Sequence, residues 1–432
     1  MRRIRGVFAP HYKNTADFIA KELPLPSEIC VPMLMHMGAP AKPIVKRGDI
    51  VTVGQLIGEA AGFVSAPVHS GVSGKVISVN DFDPFTGLSA KSVTIAADGN
   101  QTLCETLTPP KVTNIQDFLA AVRDSGCVGL GGAGFPTAVK LTLKEGVTLD
   151  HIIINGAECE PFITSDTRTM LESADLIREA LELLQKFYDL RSIIIGIEKN
   201  KPLAIAAMRE MAAEMYNIEV RTLPSKYPQG GEKMLIRSTT GRIVPEGGLP
   251  SDVGVAVLNC TTLTAIARYI KTGMPLVKKC VTVDGSAVKE PTNVLAIIGT
   301  PIRELFEYCG CLDEDIGKVL YGGPMMGIAL PSLDMPVIKN TNAVLAFTQE
   351  DSEPPEQTAC IRCGRCAANC PMKLMAFEIE RAYLLKKPEL IQRYKVNLCM
   401  ECGCCAYSCP AARPLIQSIK LAKTMLRESR GE

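Results

Sequence analysis

Tryptophan is absent from this chain of 432 residues, and histidine occurs only four times, at His11, His36, His69 and His151. A histidine-centred hydrolase or zinc enzyme has little here to be built from. Long hydrophobic runs are missing too. Nothing approaches the roughly 18 apolar residues of a membrane-spanning helix, and the isoleucine triplets at 152–154 and 193–195 are of buried-strand length. Nor is there an excess of one charge. With 47 Lys and Arg against 46 Asp and Glu the net charge is +1, so neither the basic stripe of a nucleic-acid binder nor a polyanionic tail is present. The opening Met1-Arg2-Arg3-Ile4-Arg5 is basic, but no apolar stretch follows it, and no export signal is expected.

What the chain has instead is cysteine, 17 in all, concentrated in two runs. The first reads Cys360-Ile-Arg-Cys363-Gly-Arg-Cys366-Ala-Ala-Asn-Cys370-Pro371, the second Cys399-Met-Glu-Cys402-Gly-Cys404-Cys405-Ala-Tyr-Ser-Cys409-Pro410. Both are C-x2-C-x2-C-x3-C-P, the pattern that holds iron–sulfur clusters in bacterial ferredoxins, where the fourth cysteine of each run ligates the other run's cluster. Spacing therefore assigns Cys360, Cys363, Cys366 and Cys409 to one [4Fe–4S] cluster, and Cys399, Cys402, Cys405 and Cys370 to a second. The x2 intervals wrap three thiolates around one face of a cube, and Gly364 and Gly403 let the backbone approach the sulfides. Paired zinc sites are disfavoured, because they come as separated C-x2-C pairs or include histidine, and none lies near these runs. A disulfide knot is disfavoured because the other cysteines are scattered through a large chain with no secretory signal. Cys404 is out of phase with the spacing and is expected beside a cluster rather than on it. So many thiolate ligands point to a reducing cytoplasm.

Residues 30–97 read as short strands separated by Gly-Asp and Ser-Gly turns, a compact β unit similar to the barrel-sandwich hybrid of biotinyl and lipoyl domains but without a Met-Lys-Met hairpin. After Pro109-Pro110 the pattern changes to alternating helices and strands: helices over 115–124, 168–187 and 203–216, and strands over 152–155, 192–197 and 219–223. That order predicts an α/β domain with a largely parallel sheet. Its first loop, Gly129-Leu-Gly131-Gly132-Ala133-Gly134-Phe135-Pro136, contains G-x-G-x-x-G and opens a helix reaching Lys140-Leu141. Glycines there let backbone N–H groups close on a phosphate. Asn155-Gly156-Ala157-Glu158-Cys159-Glu160-Pro161 follows a buried strand, at the carboxyl end where ligands of such sheets sit. Tyr227-Pro228-Gln229-Gly230-Gly231-Glu232-Lys233 is a polar turn before a helix; Glu160 and Glu232 are equally readable as solvated surface carboxylates. Strands over 253–259 and 278–284 and helices over 262–272 and 301–308 read as a smaller α+β unit of β-grasp character. Its Cys309-Gly310-Cys311 reads either as a redox pair or as two buried thiols. In the last helix Leu415, Ile419, Ala422 and Leu426 share one face, suited to packing on the cluster domain or to a membrane surface.

These stretches together resemble the RnfC family, a component of the Rnf complex, the ion-pumping ferredoxin:NAD oxidoreductase of bacterial membranes. The resemblance rests on His36-Met-Gly-Ala-Pro40, Gly62-Phe-Val-Ser-Ala-Pro-Val68, residues 129–136 and 227–232, Gly322-Gly-Pro-Met-Met-Gly327 and the two cysteine runs. The middle of the chain is also similar to the NADH-binding flavoprotein subunit of respiratory complex I. That similarity implies that Gly129, Gly131, Gly132, Gly134 and Phe135 hold FMN, with Lys140 at the family's lysine. It implies that Asn155 touches the flavin and Glu160 approaches the nicotinamide, within an Asn-x-x-Glu-x-Glu-Pro motif that includes Glu158. Glu232 stands in its Gly-Glu-Glu turn, and Asn259 and Thr262 in its Asn-x-x-Thr. Two departures are visible: Gly129 and Leu130 stand where complex I has arginines in the loop, and Lys233 replaces the second glutamate of the turn.

The expected organisation is multidomain α/β and α+β: a barrel-sandwich-like module over 1–108, an FMN/NADH-binding domain over 109–250, a β-grasp-like unit over 251–330, a linker over 331–357 and an α-helical 2[4Fe–4S] ferredoxin-like domain over 358–432. The resemblance implies an NADH-linked oxidoreductase that exchanges electrons between NAD(H), FMN and two clusters, cytoplasmic and peripheral on the cell membrane beside Rnf-type membrane subunits. Two alternatives stand beside it. One is a soluble carrier feeding a reductase partner, such as proline reductase. The other is an iron–sulfur relay without flavin.

Overall fold

The computed structural model describes residues 4–83 and 89–431; Met1, Arg2 and Arg3 of the basic opening lie outside the described residues. In the first hundred residues the short strands pair into two small antiparallel sheets. One runs Glu28–Pro32, Ala90–Ala97, Gly74–Phe82, Ile50–Val51, the other Lys42–Pro43, Leu56–Glu59, Val68–His69. Alternation along the longer strands puts Ile29, Val31, Val93 and Ile95 wholly inside.

The α/β region forms one parallel sheet of four strands, β1 (His151–Gly156), β2 (Ser192–Glu198), β3 (Ile218–Leu223) and β4 (Val255–Asn259), in the order β3-β2-β1-β4. Ile152 and Ile154 face one apolar cluster with helices Ala174–Phe187 and Cys260–Thr272, while Ile153 faces the other with helix Glu232–Thr240. Both faces are covered, which is why continuous isoleucine runs form these strands.

Two sequence expectations change here. The helix predicted over 168–187 is two helices, Ser165–Glu172 and Ala174–Phe187, broken at Ser173, where φ is −136°. The first buries Ser165, Asp166, Thr167, Arg168 and Thr169, polar side chains that an amphipathic pattern does not mark as inward. The strand expected to open the small unit after residue 250 is β4, paired with β1 so that Asn259 lies opposite Asn155. The helix opened by the Gly-rich loop spans Thr137–Leu141 and ends where expected, as Thr142 turns extended.

A six-stranded mixed sheet follows, in the order Lys21–Glu22, Thr292–Ile297, Lys278–Asp284, Ala343–Phe347, Lys318–Tyr321, Ile328–Leu330. Ala343–Phe347 lies in the stretch predicted as linker. Val344, Leu345 and Ala346 are fully buried and pair with neighbours on both sides, so the apolar content of this stretch outweighs its prolines and acids. Cys309 and Cys311 are free thiols buried beside Phe306 and Val281; burial pushes them up to about 12 and about 11 respectively.

The C-terminal region is helical, and Leu415, Ile419, Ala422 and Leu426 of helix Leu415–Glu428 are buried against Ile379 and Ala382 of helix Ala376–Leu384. The face that a membrane surface would need is used in packing. Among the described residues no helix is long and apolar enough to cross a membrane.

Candidate functional site

The two cysteine runs fold with the same local geometry. Arg362 and Glu401, each just before the second cysteine, are left-handed at φ 55° and 57°, and Gly364 and Gly403, just after it, at 74° and 77°. The runs enclose two recesses. One is lined by Cys360, Cys363, Cys366 and Cys409, the other by Cys370, Cys399, Cys402 and Cys405. Amides point at the sulfurs, Leu374 N–H to Cys370 Sγ at 3.3 Å and Glu401 N–H to Cys399 Sγ at 3.4 Å. In the second recess four thiols around an apolar-walled space, with these N–H donors to sulfur, fit a cubane cluster; the first brings its four thiols together beside Arg413 and Glu380. Cys404 borders the second recess, but its thiol is directed at Tyr227 O, 3.9 Å away.

The recesses differ in surroundings. Cys360 and Cys363 are exposed, with Ile361 beside them 67% exposed, whereas Cys402, Cys404 and Cys405 are buried. The second recess abuts the α/β domain. Met400 presses on Gly231 so closely that any Cβ there would overlap its methyl, and Val7, Tyr227, Cys402 and Cys404 share one apolar cluster.

At the carboxyl edge of the parallel sheet, Asn155 Nδ2 donates to Gly230 O at 2.9 Å, fastening the turn over 227–233 to β1. Glu232, two residues on, accepts from Lys140 Nζ at 2.8 Å, and Lys140 also donates to Val257 O at 3.1 Å. Asn259 caps helix Cys260–Thr272 through Oδ1, and its Nδ2 donates to Asp166 at 2.7 Å. Thr262 Oγ1 accepts from Leu130 N–H and donates to Val128 O, both at 3.2 Å, so it anchors the Gly-rich loop. Gly129 N–H closes that loop on Phe135 O at 2.9 Å. Gly131 lies where any Cβ would overlap Asn259 Nδ2. Gly131, Gly132 and Ala133 are open to solvent; Phe135 is half-buried.

The two glutamates after β1 are placed differently. Glu158 turns behind the loop, where its carboxylate accepts from the Asp166 and Thr167 amides at 2.7 and 3.3 Å at the start of helix Ser165–Glu172. Glu160 faces the turn over 322–327, accepting from Met325 N–H at 3.1 Å and Tyr227 Oη–H at 3.2 Å. Burial pushes its carboxyl above the ordinary range, and these donors partly offset that. Five contributors were not legible in the sequence: Asp166, Lys13, Lys201, Lys279 and Asn340. Lys13 Nζ donates to the carbonyls of Glu158, Glu160 and Ile163 at 2.9, 2.7 and 2.6 Å, and Lys201 Nζ to those of Ala157 and Glu158 at 2.8 and 3.2 Å. Burial, with Lys201 nearby, holds Lys13 down to about 8. Nothing in their sequence neighbourhoods marks these lysines as inward.

Four family models match the chain: an RnfC barrel sandwich hybrid domain over residues 2–100, a Nuo51 FMN-binding domain over 122–268, an SLBB domain over 280–329 and a 4Fe-4S dicluster domain over 355–410. The fold is thus a barrel-sandwich module, an α/β flavin-binding domain, a small β-grasp-like unit and a dicluster domain. Among similar proteins, the RnfC component of the proton-translocating ferredoxin:NAD(+) oxidoreductase complex of Clostridium ljungdahlii is 41% identical over 84% of this chain and 80% of its own. Its counterpart in the Na(+)-translocating ferredoxin:NAD(+) oxidoreductase complex of Acetobacterium woodii is 40% identical over 87% of this chain and 85% of its own. The counterpart in the ion-translocating oxidoreductase complex of Rhodobacter capsulatus is 40% identical over 98% of this chain and 83% of its own. An NAD+-reducing [NiFe]-hydrogenase in the H2-reduced state shares the fold at a TM-score of 0.51 and 19% identity, over 72% of this chain and 63% of that one.

Proposed function

The chain belongs to the RnfC family of Rnf-type ion-translocating oxidoreductases, and on that premise we propose that it exchanges electrons between NAD(H) and the rest of such a complex through FMN and two [4Fe–4S] clusters. The observation that carries this reading is the shared wall between the sheet's carboxyl edge and the second cysteine recess. Asn155 holds Gly230, Gly231 touches Met400, and Tyr227 O faces Cys404. Bound FMN supplies the conversion between two-electron exchange with NADH and one-electron exchange with a cluster.

The residues of this chain do the holding. The Gly-rich loop offers backbone N–H groups to a phosphate. Asn155 and Asn259, each tied to a neighbouring element, line the edge where the flavin lies, and the Lys140–Glu232 pair joins the loop to the turn over 227–233. Glu160, half-buried and fed by Tyr227 Oη–H and the Met325 amide, is a polar group held in place against the recess wall. In the order this arrangement supports, the cluster of Cys370, Cys399, Cys402 and Cys405 adjoins the flavin, and the exposed cluster of Cys360, Cys363, Cys366 and Cys409 meets a partner. That partner is a membrane subunit of the complex or a ferredoxin-like protein, with this chain associated peripherally.

Anaerobic purification followed by iron and flavin analysis and an NADH–dye reductase assay tests the reading. The expected result is about eight irons with one FMN per chain and NADH oxidation. About eight irons with neither FMN nor NADH oxidation would leave an iron–sulfur relay and overturn it.

A further inference from the structure

Three peptide units of the Gly-rich loop are held from behind by other parts of the chain. Lys279 Nζ, from strand Lys278–Asp284, donates to Leu130 O at 3.4 Å. Asn340 Nδ2, from the stretch leading into strand Ala343–Phe347, donates to Gly132 O at 3.0 Å. The amide of Met37, in the β module, donates to Gly134 O at 3.1 Å. Immediately upstream, Lys339 Nζ holds Gly126 O at 2.7 Å and Pro67 O at 2.6 Å.

In a planar trans peptide the C=O and the following N–H point in opposite directions. Holding the carbonyls of residues 130, 132 and 134 at the back therefore turns the N–H groups of Gly131, Ala133 and Phe135 to the front. None of those three N–H groups has an acceptor among the described residues. Of the neighbouring amides, Leu130 N–H is taken by Thr262 and Gly132 N–H leans on Gly129 O at 3.4 Å, while Gly134 N–H, like the three, has no acceptor among the described residues. The helix that follows has only five residues, so the free loop amides, and not a helix N-terminus, supply the field that an anion meets.

We propose that the grip on the flavin phosphate is set from outside the flavin-binding domain, with Asn340 and Lys279 acting as positioning residues that aim the N–H groups of Gly131 and Ala133. This rests on the FMN reading above. FMN and NADH both carry phosphate, and the flavin's is the one these amides hold.

The test uses the full cluster-loaded chain, freed of flavin and titrated with FMN and with riboflavin, which lacks the phosphate, by quenching of flavin fluorescence. Asn340→Leu removes the donor at a half-buried position without adding charge. It should weaken FMN binding about tenfold, the value of one hydrogen bond to a charged group, and leave riboflavin binding unchanged. Asn340→Asp should weaken FMN further, since its carboxylate would face Gly132 O. Equal weakening of both flavins, or of neither, overturns the proposal, as does an unchanged FMN affinity with a raised KM for NADH. A wild-type chain that binds no FMN overturns the FMN reading itself, which separates the two failures.

Discussion

Gly131→Val tests the separation of flavin and cluster sites most directly. Its Cβ would overlap Asn259 Nδ2 and stand 2.9 Å from Asn259 Cγ. Asn259 has little freedom to yield, because it caps helix Cys260–Thr272 through the Thr261 and Thr262 amides and donates to Asp166. Losing the cap costs about 1 kcal/mol, and losing the bond to a buried carboxylate about 1.5–3 kcal/mol. The solvent-open loop is softer and gives way first, carrying the Gly131 and Ala133 amides off the phosphate. Two lost hydrogen bonds to a charged oxygen are about 3–6 kcal/mol, a hundredfold or more in flavin affinity. The cluster cysteines sit in residues 360–409 and contribute nothing to this loop, so iron should remain at about eight per chain. Gly62→Ala, in the β module, is the control, because its Cβ meets nothing within 4 Å and its backbone lies outside the left-handed region. Flavin and iron assayed after anaerobic purification give the answer. A Gly131→Val chain with one FMN refutes the loop's role, and one that loses iron together with flavin refutes the independence of the two sites.

Crosswise ligation makes a pairing prediction. Cys360→Ala with Cys409→Ala should leave one cluster, about four irons, whereas Cys360→Ala with Cys370→Ala should leave none intact; the reverse pattern would mean that each run holds its own cluster. Cys404→Ala should keep full iron, and loss of a cluster would make it a ligand. His36 is buried and held down to about 4 by burial first and by Lys339 second. Its contribution to stability is therefore complete above pH 6.5 and is lost as pH falls from there to about 4, at about 1.4 kcal/mol per unit at most. Chemical denaturation at pH 7 and pH 5 should show a drop smaller by about 1–2 kcal/mol in His36→Gln than in wild type; equal drops would refute the assignment.

The cluster site and the flavin site were legible to different degrees. Cysteine spacing acts within a few residues, and the left-handed turns at Arg362, Gly364, Glu401 and Gly403 realise it locally. The amphipathic C-terminal helix and the isoleucine strands were readable for the same reason, since their burial follows from local periodicity. The helix break at Ser173 and the strand at Ala343–Phe347 were not, because each is decided by partners: buried polar residues that meet Glu158 and Asn259 in one case, flanking strands in the other.

By itself the sequence determined which cysteines could share a cluster, that a parallel α/β sheet lies ahead of them, and that a glycine loop and two polar turns stand near strand ends. Each follows from spacing or periodicity along the chain. Only the tertiary structure decided that Glu158 faces backwards while Glu160 meets Tyr227, that the second recess and not the first adjoins the sheet edge, and that the loop's carbonyls are held by Lys279, Asn340 and Met37. Those contacts join residues roughly a hundred to two hundred positions apart in most cases. Lone lysines and asparagines carry no local pattern that distinguishes such a partner from solvent.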